Sequence, residues 1–375
     1  MMSRISLCML VGVCACVSSV YASSSSSLTS QFVVSKNPEI LHEEEYYEEV
    51  SLPLIKYASG DIFDGCRDFK TKYVHLVECI TSDAFNRWPN LTTVYLSSVK
   101  CISGNVFNGC DSLKEVYASS LEEIKESGEK IKGSWEKIKG LGRVTFSDCF
   151  GVEKMFFLKL KKVEGKFLFN CPNIEVLVVP LLENVEDCFL GILNDDYFKR
   201  WNKNKPEDKL EKIYCPELKH AGARFLARRH GTVQLPKLES IGNFAFFECT
   251  FVEINLPSVK YIGNNSFNGC YNLKAVYCDS LEEIGSMAFS CCWNLEEVFF
   301  PVLKKVGRNF LFQCPKLKKI YLGAPNIVFE DGAFETGAKT KNIDLFICNN
   351  NQYLLRNIGP FKSVQVYSSA AWKNS

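Results

Sequence analysis

The sequence predicts a solenoid: a β-rich coil with one short parallel strand per turn of about 22 residues, closed by irregular or short helical return segments. Three observations predict it. A branched residue followed by glycine, then phenylalanine, then cysteine recurs at nearly constant spacing. The chain is 46% hydrophobic and carries 28 Phe in 375 residues, which demands a large interior and excludes disorder. Between successive copies lie short stretches rich in β-branched and aromatic residues, such as Ala275-Val276-Tyr277.

The elements follow in chain order. Arg4 gives a positive start, residues 5–17 are an almost unbroken apolar run, and Val20-Tyr21-Ala22 offers small residues at the two positions a signal peptidase reads. Residues 1–22 are therefore expected to be a secretory signal peptide, the run being too short to cross a hydrocarbon core of ~30 Å. Val13-Cys14-Ala15-Cys16 loosely resembles a bacterial lipoprotein cleavage box, but Cys14 is unusual there, so cleavage is preferred to lipid anchoring at Cys16. No other stretch approaches the ~18 apolar residues of a transmembrane helix, so the mature chain is expected outside the cell or on its surface. Residues 23–50 are a serine-rich leader and an acidic segment.

The repeat array is expected over 51–345, with a C-terminal cap over 346–375 whose last strand falls near 361–367. The copies are clearest at Ile241-Gly242 with Phe246 and Cys249, Ile262-Gly263 with Phe267 and Cys270, Ile284-Gly285 with Phe289 and Cys292, and Val306-Gly307 with Leu311 and Cys314. The same register runs back through Val185–Leu190–Leu193, Val163–Leu168–Cys171, Phe146–Cys149, Ile102–Phe107–Cys110, Ile80–Phe85–Trp88 and Phe63–Cys66. With a weak anchor at Arg229 and a degenerate unit at Phe329–Phe334, this makes about 12 units. Strands are expected near 93–96, 115–118, 275–278, 297–300 and 319–322, with Leu273, Val276 and Cys278 facing inward. The fifth position of each unit should fill its centre, giving a phenylalanine spine. The glycine is expected at a corner of positive φ.

On these residues the repeat resembles the BspA-like leucine-rich repeat, most closely at Leu281-Glu-Glu-Ile284-Gly285-Ser-Met-Ala288-Phe289-Ser-Cys-Cys292. The resemblance implies a leucine-rich-repeat solenoid in a cell-surface or secreted protein, with binding or adhesion rather than catalysis. It supplies no catalytic residues.

Two insertions interrupt the array, near 121–140 and 194–209. In the first, Ile124, Ile131 and Ile138 would lie along one side of a short helix weakened by Gly128 and Gly133. Cysteine dominates one repeat slot, where a small, buried, reduced side chain accounts for it better than disulfides between like-pointing neighbours. Any disulfides are expected instead to involve Cys79, Cys101, Cys188, Cys215, Cys278, Cys291 or Cys348. Zinc spacings, phosphate loops and nucleophile elbows are absent, so neither an enzyme nor a cofactor nor a metal site is expected. His220, His230, Arg224, Arg228 and Arg229 form a basic cluster in the weakest repeat, read as a solvated irregular coil rather than an anion site.

The 44 basic and 43 acidic side chains exclude nucleic-acid binding by bulk charge. What the strands offer is an outward stripe: Tyr95, Tyr117, Phe156, Val178, Tyr214, Asn255, Tyr277, Phe299 and Tyr321. Its seven aromatic members are the candidate partner-binding residues, suited to a protein or glycan ligand. Rings stacked as a ladder would stabilise one another without a ligand, and that alternative stands beside the first. A second reading is a self-associating extracellular coat protein. Asn90 and Asn264 fit the glycosylation acceptor pattern.

Overall fold

The computed structural model describes residues 33–35, 48–51, 57–58, 70–75, 77–81, 83–125, 144–187, 189–192, 209–230, 232–335, 343–348 and 361–367. The signal segment with Cys16, the insertion cores at 126–143 and 193–208, and Cys66 lie outside them. Among the described residues there is no helix. The chain is a parallel β-solenoid with a front sheet and a return sheet.

Front strands form where branched and aromatic residues alternate with polar ones. Thr93–Leu96, Glu115–Tyr117, Ala275–Tyr277, Glu297–Phe300 and Lys319–Leu322 occupy the expected places. Each pairs in parallel with the next turn, Val276 opposite Val298 and Val298 opposite Ile320. The return strands are shorter and form one unbroken twelve-stranded sheet. The front divides into a nine-stranded and a six-stranded sheet, between Thr232–Gln234 and Glu253–Asn255. A short antiparallel strand, Val33–Ser35, begins the first, and the long strand Phe361–Tyr367 ends the second.

One turn shows why 22 residues suffice. Leu273, Val276, Cys278, Leu281, Ile284, Ala288, Phe289 and Cys292 are all buried between the sheets. Burying each large aliphatic or aromatic side chain stabilises by ~1.5–3 kcal/mol, but only stacked turns can exclude the water. Just ahead of the return strands, Glu78, Lys100, Glu122, Lys161, Glu183, Lys219, Glu239, Lys260, Glu282 and Lys304 follow one another turn by turn, each backbone N–H donating to the carbonyl before it. Their charges alternate without exception, and Lys219–Glu183 and Lys304–Glu282 close to 2.8 and 2.7 Å. Each exposed pair contributes only ~0–1 kcal/mol, yet a one-turn slip would set like charges together.

Three expectations are corrected. First, Gly242, Gly263, Gly285 and Gly307 do not have positive φ. A Cβ on Gly263 would instead lie 2.8 Å from the Asn243 N and Gly242 C atoms of the preceding turn, and one on Gly285 2.6 Å from Gly263 C. The glycines form a seam where successive backbones touch. Positive φ falls elsewhere in the turn, at Phe244 and Glu248, Met287 and Cys291, Asn309 and Gln313. Second, the spine changes position. Phe85, Phe107 and Phe146 stack in parallel, as do Phe246, Phe267 and Phe289 at 5.1 Å. Between them Leu168, Leu190 and Leu226 hold the fifth position, and the rings come from the preceding residues Phe167, Phe189 and Phe225. The change shifts the ring sideways, so the junctions Phe146–Phe167 and Phe225–Phe246 are edge-to-face at 89° and 85°. Third, Ile124 is not helical: it is buried in the return strand Glu123–Lys125.

Candidate recognition face

Seven ladder cysteines are described, and all are buried and free of disulfides. Each has a partner that the sequence did not reveal. The thiols of Cys110, Cys149, Cys171, Cys249, Cys270, Cys292 and Cys314 donate to the carbonyl of the fifth-position residue one turn back, at 2.9–3.2 Å. The thiol gives each of these inward carbonyls a side-chain donor that alanine or valine lacks, in addition to the backbone N–H that Phe85, Leu226, Phe246 and Phe267 accept within their own turn. Arg229 obeys the same rule. It is fully buried in the cysteine slot, its Nε donating to Leu190 O at 2.6 Å and Nη2 to Cys171 O at 2.8 Å. The reading of a solvated basic coil is therefore wrong for Arg229. Arg228 pairs with Glu248 at 2.9 Å and lies over Phe247, while Arg224 lies over Phe244. Burial pushes the Cys110 and Cys270 thiols up to about 12, so these are structural groups rather than nucleophiles.

The chemistry at the surface lies on the front sheet. Strand alternation turns Tyr95, Tyr117, Phe156, Tyr214, Tyr277, Phe299 and Tyr321 outward, each paired in register with the next turn. Tyr73 and Phe346 extend the stripe, as do the polar Gln234 and Gln365. Sequence reading missed them: Tyr73 lies 22 residues before Tyr95, a spacing that could have found it, whereas Phe346 follows a break in the period.

The stripe is not uniform. Tyr73, Tyr95, Tyr117 and Phe156 make one continuous stack, with centroids 4.5, 4.9 and 5.2 Å apart and planes within 6°. Both faces of the inner rings are covered by neighbours. Val178 ends this stack. Tyr214 stands between Val178 and Gln234, and Tyr277 between Asn255 and Phe299; each is 46% exposed. Beyond them Phe299 and Tyr321 tilt by 55°, and Tyr321 stacks on Phe346 at 4.3 Å.

Charges flank the rings. Tyr117 Oη donates to Glu115 at 3.0 Å, and Tyr277 Oη to Glu297 of the next turn. Burial and then Glu115 push the Tyr117 phenol up to about 12. Lys154 approaches Glu115 at 3.8 Å and Lys319 approaches Glu297 at 3.9 Å. The face is thus aromatic with a mixed-charge border. His220 and His230 each share a hydrogen bond with a hydroxyl, Ser240 and Thr250. Among the described residues no three His, Cys, Asp or Glu side chains converge as metal ligands, and no helix is long and apolar enough to cross a membrane.

Asn90 and Asn264 are both exposed. Asn264 Oδ1 accepts the Ser286 N–H at 2.7 Å, and the Ser266 hydroxyl of its triplet is buried against Gly242 O and Gly263 O.

A leucine-rich repeat protein of Bacteroides ovatus is 17% identical, with 89% of this chain and 100% of that chain covered and a TM-score of 0.38. A leucine rich cell surface protein of Faecalibacterium prausnitzii is 15% identical over 79% and 85%, TM-score 0.38. The pneumococcal vaccine antigen PcpA is 16% identical over 86% and 80%, TM-score 0.37. No curated protein sequence matches. The pattern of the BspA type leucine rich repeat region matches six copies over residues 42–131, 80–192 and 229–353, and the chain belongs to that family.

Proposed function

We propose that this chain is a secreted or surface-exposed recognition protein, without catalytic activity, whose front face engages a protein partner. The observation that carries this reading is the row of outward aromatic side chains on successive turns, with Tyr214 and Tyr277 standing nearly half exposed among charged groups. Tyrosine offers a large rigid contact with a polar tip, which is why it recurs in binding hot spots. A protein suits the face better than a glycan, because sugars pack on ring faces and the faces between Tyr73 and Phe156 are already stacked together. The N-terminal segment and the family support an extracellular setting.

The test is binding of the purified chain to arrayed extracellular matrix and cell-surface components, each treated with protease or with glycosidase. Saturable binding that protease abolishes and glycosidase spares is expected. Binding with the opposite sensitivity would overturn the protein reading in favour of a glycan, and no binding to any component would leave the stripe as a stacking ladder.

A further inference from the structure

Twelve cysteines have described side chains, and three of them are partly exposed: Cys79, Cys101 and Cys291. Two of these three are register partners. Cys79 and Cys101 begin neighbouring return strands, Cys79–Thr81 and Cys101–Ser103, and face each other directly in the parallel ladder. Paired positions on adjacent strands lie ~4.8 Å apart, inside the ~4.4–6.8 Å Cα range of disulfides. Their side chains project the same way, so the Cβ atoms must draw together to reach the ~3.8 Å a disulfide prefers. A bond made under that constraint is easily reduced again.

Register places Tyr57 before Cys79 and Glu123 after Cys101, and the Glu123 carboxylate is engaged by Lys125 at 2.6 Å. Cys101 is held up to about 11, first by burial and then by the neighbouring Cys79. Cys291 is a contrast within the same chain. The equivalent corner positions of the adjoining turns are Gly269 and Gln313, and its sulfur contacts Gln313 Oε1 at 3.4 Å.

We propose that Cys79 and Cys101 are a reversible thiol switch, closing to a cross-strand disulfide by exchange with a low-molecular-weight disulfide and so stapling two neighbouring turns. One thiolate attacks a sulfur of the small disulfide, forming a mixed disulfide and releasing one small thiol. The second thiolate attacks the cysteine sulfur of that mixed bond and releases the other. The pair loses two protons and two electrons, and the small disulfide is reduced to two thiols.

The test is incubation of the folded full chain with oxidised glutathione, acid quench, and non-reduced peptide mapping. The expected map has a Cys79–Cys101 cross-link, glutathione on Cys291, and unmodified ladder cysteines. Reduced glutathione in excess should reopen the cross-link. In Cys101→Ser, Cys79 should carry glutathione as Cys291 does. Cys79 and Cys101 found free, or each glutathionylated, while Cys291 reacts would overturn the proposal. So would a cross-link that excess reduced glutathione leaves intact.

Discussion

Gly263→Ala separates two physical accounts of the repeat's glycine by the sign of its effect. If the glycine merely loosened a corner, alanine would stabilise the fold by ~0.4–1 kcal/mol through the unfolded chain's lost freedom. The structure requires the reverse. The new methyl would sit 2.8 Å from Asn243 N, Asn243 Oδ1 and Gly242 C, where ordinary contact begins at 3.4 Å. The turns must therefore part by about 0.6 Å, against Gly263 N→Ile241 O at 2.8 Å and Asn264 N→Asn243 Oδ1 at 2.7 Å. Overpacking of this kind costs ~1–3 kcal/mol, so a net loss of ~1–2 kcal/mol remains. At ~2–4 °C per kcal/mol, calorimetry should find the melting point down by about 2–8 °C. Ser103, at the equivalent place in the N-terminal half, already bears a side chain, and Ser103→Ala should change stability by less than ~0.5 kcal/mol. A Gly263→Ala protein as stable as the parent, or more so, would refute the seam.

Other outcomes follow from the same geometry. Phe267→Ala, between Phe246 and Phe289 in the spine, should destabilise by ~3–5 kcal/mol, whereas Tyr277→Ala should cost ~1 kcal/mol in urea titrations. Gln313 adopts a φ of 56° where Gly269 stands two turns earlier at 76°, so Gln313→Gly should stabilise by ~1 kcal/mol, read from the shift in urea midpoint. Cys110, Cys215 and Cys270 are each pushed up to about 12 by burial. A thiol raised above its unfolded value contributes stability that is intact below about pH 9 and lost as pH climbs toward 12. The melting point should therefore be level from pH 7 to about 9 and fall beyond it; a level profile to about pH 11 would contradict the buried-thiol account.

The period was legible because the strands and core obey it: Val276, Phe289 and Cys292 recur at a spacing that only stacked turns explain. Other features depend on distances between turns, which one chain's period does not carry. Glycine after Ile262 reads equally as a flexible corner or as a site of backbone contact. Leu168 fits the fifth position by count, yet Phe167 beside it supplies the ring. The cysteine slot looked merely apolar because Trp88 shares it, but cysteine and Arg229 there are both donors to a core carbonyl. The alternating Lys/Glu column was readable in principle, once the insertions were removed. In the candidate site, alternation identified which residues face outward. It could not say that four rings would cover one another while Tyr214 and Tyr277 are nearly half exposed.

The claim that the front face is a recognition surface is tested most directly by comparing parent and Tyr214→Ala/Tyr277→Ala/Tyr321→Ala for retention on immobilised extracellular protein, with melting points measured alongside. Hot-spot truncation costs ~2 kcal/mol or more per residue, a loss of roughly thirtyfold each. The account predicts a folded variant, melting only a few degrees lower, with retention reduced to background. A variant that folds and is retained as strongly as the parent would contradict it.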